Sequence, residues 1–275
     1  MKHTLADLAE ALAAQSANAP EDEADLLHFY HRLFALLAQQ QAALELDLSK
    51  HLADFSRKQW LRSGEPALRF EWLGLAPSTF HPWVEQVAAL LRERVPECQA
   101  PTPEESVELA ARYYHDNTTG KGAAMDALMQ SALTPWLWEA AAQLTPHLPL
   151  DEWLRGYCPV CGGFPDFEVI VSNKWRRLLC ERCAAEWRFP NGVCPFCGED
   201  SPDMLGFYTT EDEVYRIDVC DACGSYIKGV DSRRFEGTLN AVLERFLTPG
   251  LDYSAVEQGY TRPEAFEDFA EGDET

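Results

Sequence analysis

The chain has 275 residues, 46 % of them hydrophobic, and a formal net charge of −22. That length suggests about two domains, and the hydrophobic content supplies them with cores, which excludes a disordered chain. The charge argues against a polyanionic partner such as nucleic acid. No apolar run reaches the length of a membrane span, so a soluble protein without membrane insertion is expected.

The first 150 residues read as helices. Thr4 is placed to cap Leu5–Ala14. Glu21–Leu48 is long and periodic, with Leu26, Leu27, Tyr30, Leu33, Phe34 and Leu37 on one broad apolar face. Asp54–Leu61 is a candidate short helix, and Ser78 is placed to cap Phe80–Arg94. Thr102-Pro103-Glu104-Glu105 is a capping box for Glu104–His115. Pro135 predicts a break between helices over Met125–Leu133 and Pro135–Leu144. Strands are expected at Phe167–Val171, Trp175–Leu179 and Tyr215–Val219, which are rich in β-branched and aromatic residues. A helix is expected over Arg233–Leu247, another over Tyr253–Gln258, and an acidic, frayed end over Glu267–Thr275.

Eight of the nine cysteines form four C-x2-C pairs: Cys158/Cys161, Cys180/Cys183, Cys194/Cys197 and Cys220/Cys223. Each pair points two thiolates at one centre, and two pairs complete a tetrahedron, so four pairs imply two metal ions. Gaps of eighteen and twenty-two residues separate Cys161 from Cys180 and Cys197 from Cys220, enough for a hairpin in each case; only ten separate Cys183 from Cys194. The pairing is therefore sequential. Two pairs read C-P-x-C-G, where proline fixes φ between the ligands and glycine permits a positive φ after the second. No histidine follows His147, so both sites are expected to be all-cysteine. Such a set holds zinc or a single iron equally naturally.

Disulfides fit poorly, because the total is odd and Met1–Gln15 has no secretory pattern. A redox C-x-x-C accounts for one pair, not four. Cys98 reads as an ordinary small side chain. His28 and His31 lie three apart on a helix but have no third ligand. Gly120-Lys121-Gly122 lacks phosphate-loop spacing. No catalytic constellation stands out, so a non-enzyme is expected.

The metal region goes beyond a generic ribbon. Trp153, Gly156-Tyr-Cys-Pro-Val-Cys-Gly-Gly163, Leu179-Cys-Glu-Arg-Cys-Ala-Ala-Glu-Trp187, Cys194-Pro-Phe-Cys-Gly198 and Cys220-Asp-Ala-Cys-Gly-Ser-Tyr-Ile-Lys228 resemble the FdhE family of formate dehydrogenase accessory proteins, as does the ending from Leu251-Asp252 to Glu257-Gln-Gly-Tyr-Thr-Arg262. The resemblance implies a cytoplasmic, non-enzymatic maturation factor that binds the enzyme's catalytic subunit, with iron in two rubredoxin-like modules. By position, all eight paired cysteines carry over as ligands. Glu186, Trp187, Tyr226 and Lys228 match family motif positions and become candidates for partner contact, beside a plain role in hairpin packing. The expected organisation is a helical domain over 1–150, four-cysteine modules over 151–188 and 189–231, and a C-terminal helical segment with an acidic tail over 232–275. Competing readings are a rubredoxin-like electron carrier and a nucleic-acid-binding zinc ribbon. The ribbon reading needs a basic face, and the 151–231 region has more acids than bases.

Overall fold

The computed structural model describes residues 4–52 and 55–263, and the chain divides after Leu148 into two compact units. The expected acidic end over Glu267–Thr275 lies outside the described residues.

The first unit is helical. Helix α1 (Leu5–Ser16) begins with a capping box in which Thr4 and Asp7 bond each other's backbone N–H. Its buried Leu5, Leu8, Ala9 and Leu12 recur at helical spacing and pack on α2 (Glu21–Ala42). Each such leucine contributes about 1.5–3 kcal/mol. α2 is shorter than the expected Glu21–Leu48: Ala43 caps it, and Gln143 takes up Leu46 O and Leu48 N–H beyond. Short helices α3 (Ser49–Leu52) and α4 (Arg57–Ser63) follow; the Asp54 start expected for the latter is outside the described residues. Helix α5 (Pro77–Leu91) starts on Pro77 rather than at a Ser78 cap, and α6 (Pro103–Asp116) has the Thr102/Glu105 box.

Helix α7 corrects an expectation. It runs unbroken over Ala123–Leu144, with Pro135 inside it. A mid-helix proline removes one backbone bond and crowds the preceding turn, at roughly 3 kcal/mol. Here the helix is apolar on every side and buried, so packing outweighs that cost. Side chains also take up the nearby carbonyls: Thr134 Oγ1 donates to Gln130 O (2.8 Å) and Trp83 Nε1 to Ala132 O (2.9 Å). Among the described residues, no helix is long and apolar enough to cross a membrane.

The second unit is built on one six-stranded sheet. Its strands are β1 (Pro165–Ile170), β2 (Trp175–Cys180), β3 (Glu186–Pro190), β4 (Leu205–Thr209), β5 (Tyr215–Cys220) and β6 (Ser225–Asp231), in the spatial order β3-β2-β1-β6-β5-β4. Each half is an antiparallel three-stranded ribbon, and β1 joins β6 in parallel from Phe167↔Lys228 to Ile170↔Asp231. The join places Glu168 opposite Gly229, where a Cβ would fall 2.4 Å from the Glu168 carbonyl oxygen. Only glycine allows that approach.

Residues alternate between the sheet's two faces. Tyr215, Tyr226 and Lys228 share the face met by helices α8 (Ala241–Leu247) and α9 (Pro249–Glu257). The helix expected over Arg233–Leu247 is thus shorter. Asp231 captures the N–H and guanidinium of Arg233, and the Asn240 side chain caps Leu243 N–H to start α8 eight residues later than expected. Helix α9 extends earlier than the expected Tyr253–Gln258, because Pro249 suits a first helical turn.

Candidate metal centres

The sheet gathers the cysteines into two groups, Cys158/Cys161/Cys180/Cys183 and Cys194/Cys197/Cys220/Cys223, each with its sulfurs within 4.8 Å of one another. In each group one pair sits in a turn before a hairpin, and the other begins at the last residue of the hairpin's second strand: Cys180 ends β2 and Cys220 ends β5.

Each C-x2-C turn folds the same way. The residue after the second cysteine donates its N–H to the first cysteine's carbonyl: Gly162 to Cys158 (3.0 Å), Ala184 to Cys180 (3.2 Å), Gly198 to Cys194 (3.1 Å) and Gly224 to Cys220 (2.8 Å). All four donors have positive φ, from 53° to 79°. Further N–H groups reach the sulfurs, from Val160 to Cys158 and from Arg182 to Cys180, both at 3.4 Å. These amides favour thiolate over thiol.

The sulfur spacing fits a metal. Metal–sulfur bonds of about 2.3 Å put the corners of a tetrahedron about 3.8 Å apart. Cys158–Cys183 and Cys161–Cys180 are separated by 3.5 Å, Cys194–Cys223 by 3.8 Å and Cys197–Cys220 by 3.7 Å. A disulfide needs about 2.05 Å. Burial pushes the Cys158, Cys183 and Cys194 thiols up, and that of Cys197 to about 11. A divalent ion at the centre supplies the charge that lets such thiols ionise. Both groups can therefore hold one metal ion each. They differ in cover: the first is wholly buried, whereas Cys197 and Cys223 of the second are only half-buried.

The four other motif residues fall in two places, Glu186 and Trp187 in β3 and Tyr226 and Lys228 in β6. Trp187 in β3 is buried and donates from Nε1 to Arg155 O (2.8 Å). Tyr226 and Lys228 in β6 are buried beneath α9, where both bond Asp252; Lys228 Nζ also donates to Arg245 O (2.8 Å) and Thr248 O (3.1 Å). Glu186 alone of the four is partly at the surface. Among the described residues His28 and His31 belong to no ligand group; His31 Nδ1 lies 2.9 Å from Ala9 O. Cys98 is buried and separate.

The strands also carry a buried charge chain that the sequence reading did not single out. On the sheet face opposite α8 and α9, Arg176 bonds Glu168 (2.5 Å) and Asp218 (3.1 Å), and Asp218 bonds Arg216. Glu168 is fully buried, and its Oε1 has no hydrogen-bond partner among the described residues. Burial, opposed by Arg176, pushes its carboxyl up to about 8. The available signal was a glutamate at an inward strand position, in an otherwise apolar run.

No family model matches the chain. A protein from Aquifex aeolicus described as "Protein FdhE homolog" is 29 % identical over 229 residues, covering 79 % of each chain. "Protein FdhE" of Shigella boydii is 27 % identical over 277 residues, covering 92 % of this chain and 84 % of its own. The crystal structure of the FdhE protein from Pseudomonas aeruginosa aligns with a TM-score of 0.66 over 98 % of this chain and 96 % of its own, at 21 % identity. Curated homologues of this chain over most of its length are thus FdhE proteins, and a crystal structure bearing that name shares its fold.

Proposed function

We propose that the protein is an accessory factor of formate dehydrogenase and acts by binding the enzyme's catalytic subunit in the cytoplasm before that subunit is active. The observation that carries this is homology: relatives named FdhE match most of the chain. The cysteine-region motifs resemble the accessory proteins of that enzyme. The two sulfur groups support a role without turnover, since four thiolates complete a tetrahedral ion and leave no position for a substrate. In this reading the eight cysteines are ligands of two structural ions, iron by resemblance, that hold the second unit in shape. Of the four motif residues, Glu186 contacts the partner directly, because its side chain reaches the surface. Trp187, Tyr226 and Lys228 hold the strands that present it.

Deleting the gene should lower formate dehydrogenase activity while the catalytic subunit is still made. Adding the purified factor should restore activity in proportion to the amount supplied, and tagged factor should retain the catalytic subunit on a column. Full activity in the deletion strain, with no paralogue present, would sink the proposal. Glu186→Ala should weaken retention without changing metal content.

One observation favours a second reading. The half-buried sulfurs of Cys197 and Cys223 are the kind of exposed edge through which a rubredoxin-like carrier passes electrons. A chain isolated with iron in that site and a reversible one-electron couple would support it; zinc in both sites would end it.

A further inference from the structure

The two edges of the sheet are treated differently by the sequence. At one edge β3 ends in Pro190, and the turn over Leu150–Glu152 lies against it. At the other, β4 reads Leu205-Gly-Phe-Tyr-Thr209. It has no charge and no proline, and four of its five residues are exposed. Phe207 and Tyr208 are 60 % and 46 % exposed. An uncharged open edge of this kind is a template for another strand, and proteins usually blunt it.

The register fixes which backbone groups are open. Asp221 N–H bonds Met204 O (2.8 Å) and Thr210 N–H bonds Tyr215 O (3.0 Å). Bonded and non-bonded pairs alternate in an antiparallel ladder. With Leu205↔Cys220 through Thr209↔Arg216 in register, Gly206 and Tyr208 turn their backbone groups toward β5. Leu205, Phe207 and Thr209 turn theirs outward. The side chains of these three share the sheet face away from α8 and α9, where Leu205 and Phe207 line a cavity of about 450 Å³.

Charge selects the occupant. Asp200 and Asp203 precede β4, Glu211, Asp212 and Glu213 follow it, and all five are exposed. Glu213 is paired with Arg234. A second copy would bring like charge against like, on a chain of net charge −22. Residues 264–275, with six acids, would be repelled in the same way. We propose that β4 is a docking edge for an extended segment of a partner protein, apolar at alternate positions and basic at both ends, which adds to the sheet as a seventh strand. The inference stands apart from the identity of the enzyme served.

The test uses the full chain with its metals and a labelled peptide of alternating valine and threonine between lysine–arginine ends. Fluorescence anisotropy should report binding that weakens with salt. Backbone amide exchange should slow by about tenfold or more at Leu205, Phe207 and Thr209 on saturation, with Gly206 and Tyr208 unchanged, since the latter are already protected. Thr209→Pro removes an outward N–H but no ladder bond, and should weaken the peptide by about tenfold. Unchanged metal content and unchanged protection at Gly206 and Tyr208 would verify that the variant is folded. A peptide with glutamate ends, and one of residues 264–275, should not compete. Unaltered exchange at the three outward amides in the wild type would overturn the proposal. So would equal binding of the acidic peptides, or protection of the same amides by self-association.

Discussion

Ala184 departs from the other three C-x2-C turns. Gly162, Gly198 and Gly224 occupy the same left-handed position as Ala184, which has φ 53°. An L-residue there costs about 1–2 kcal/mol, partly offset in glycine by the greater freedom of the unfolded chain. Ala184→Gly should therefore stabilise the second unit by about 0.5–1 kcal/mol, read as a higher urea midpoint with metal content unchanged. A lower midpoint would mean that the methyl group packs more usefully than its backbone angle suggests. Glu168 makes a pH prediction. Between about 4.5 and about 8 the native carboxyl holds a proton that the unfolded chain has released. This contribution to stability is fully present below that window and is lost as pH rises through it. Urea midpoints should fall over the same range, and Glu168→Gln should flatten the slope. A wild-type slope of opposite sign would show that Arg176 keeps Glu168 ionised.

The pairing of β1 with β6 makes two ribbons into one sheet, and Gly229 permits it. Gly229→Ala drives a methyl group against the Glu168 carbonyl and should cost about 1–3 kcal/mol, as overpacking does. Unchanged unfolding of the second unit would show that the strands yield there without loss. The ribbons themselves were legible, because cysteine spacing is a local signal and fixes each hairpin. Their junction was not, because register between strands some 60 residues apart depends on which backbones can approach, and Gly229 gives no local sign of its opposite neighbour. The Thr102/Glu105 capping box and the Thr4 cap were legible for the same local reason. Helix α7 was misread as two because the proline rule counts the lost bond, whereas burial of the turns around Pro135, from Ala132 to Trp138, decides the outcome. Strands β3, β4 and β6 were not set out: Glu186–Pro190 and Ser225–Asp231 follow cysteine turns and read first as parts of those turns.

At the scale of the molecule, both four-cysteine groups found among the described residues lie in the second unit, so metal loss should act on that unit. Small metal modules draw on the order of 10–16 kcal/mol from their ions. Stripping both ions should unfold the second unit while the helical signal of the first persists. Removal should be biphasic, with the half-buried Cys194 group losing its ion to a chelator first and the buried Cys158 group later. A single phase with equal rates would show that local opening, rather than exposure of Cys197 and Cys223, controls release. Because β1 and β6 share the sheet, Cys158→Ser should lower occupancy of the second site as well as abolish the first. One full equivalent of tightly held metal in that variant would show that the ribbons fold independently. Loss of helical signal on stripping would instead mean that the first unit depends on the second.

The parallel join also sets an order of events at the ribosome. Ser232, just past β6, bonds back to Ile170 at the end of β1 across 62 residues of chain. At roughly 5–20 residues per second, β1 emerges several seconds before the strand that will cover its side. In that interval the first cysteine ribbon is complete in sequence but has a free inner edge, and an ion bound there can hold it closed. A shortage of metal during synthesis would therefore be felt as aggregation of nascent chains, before any finished protein existed to lose its ions.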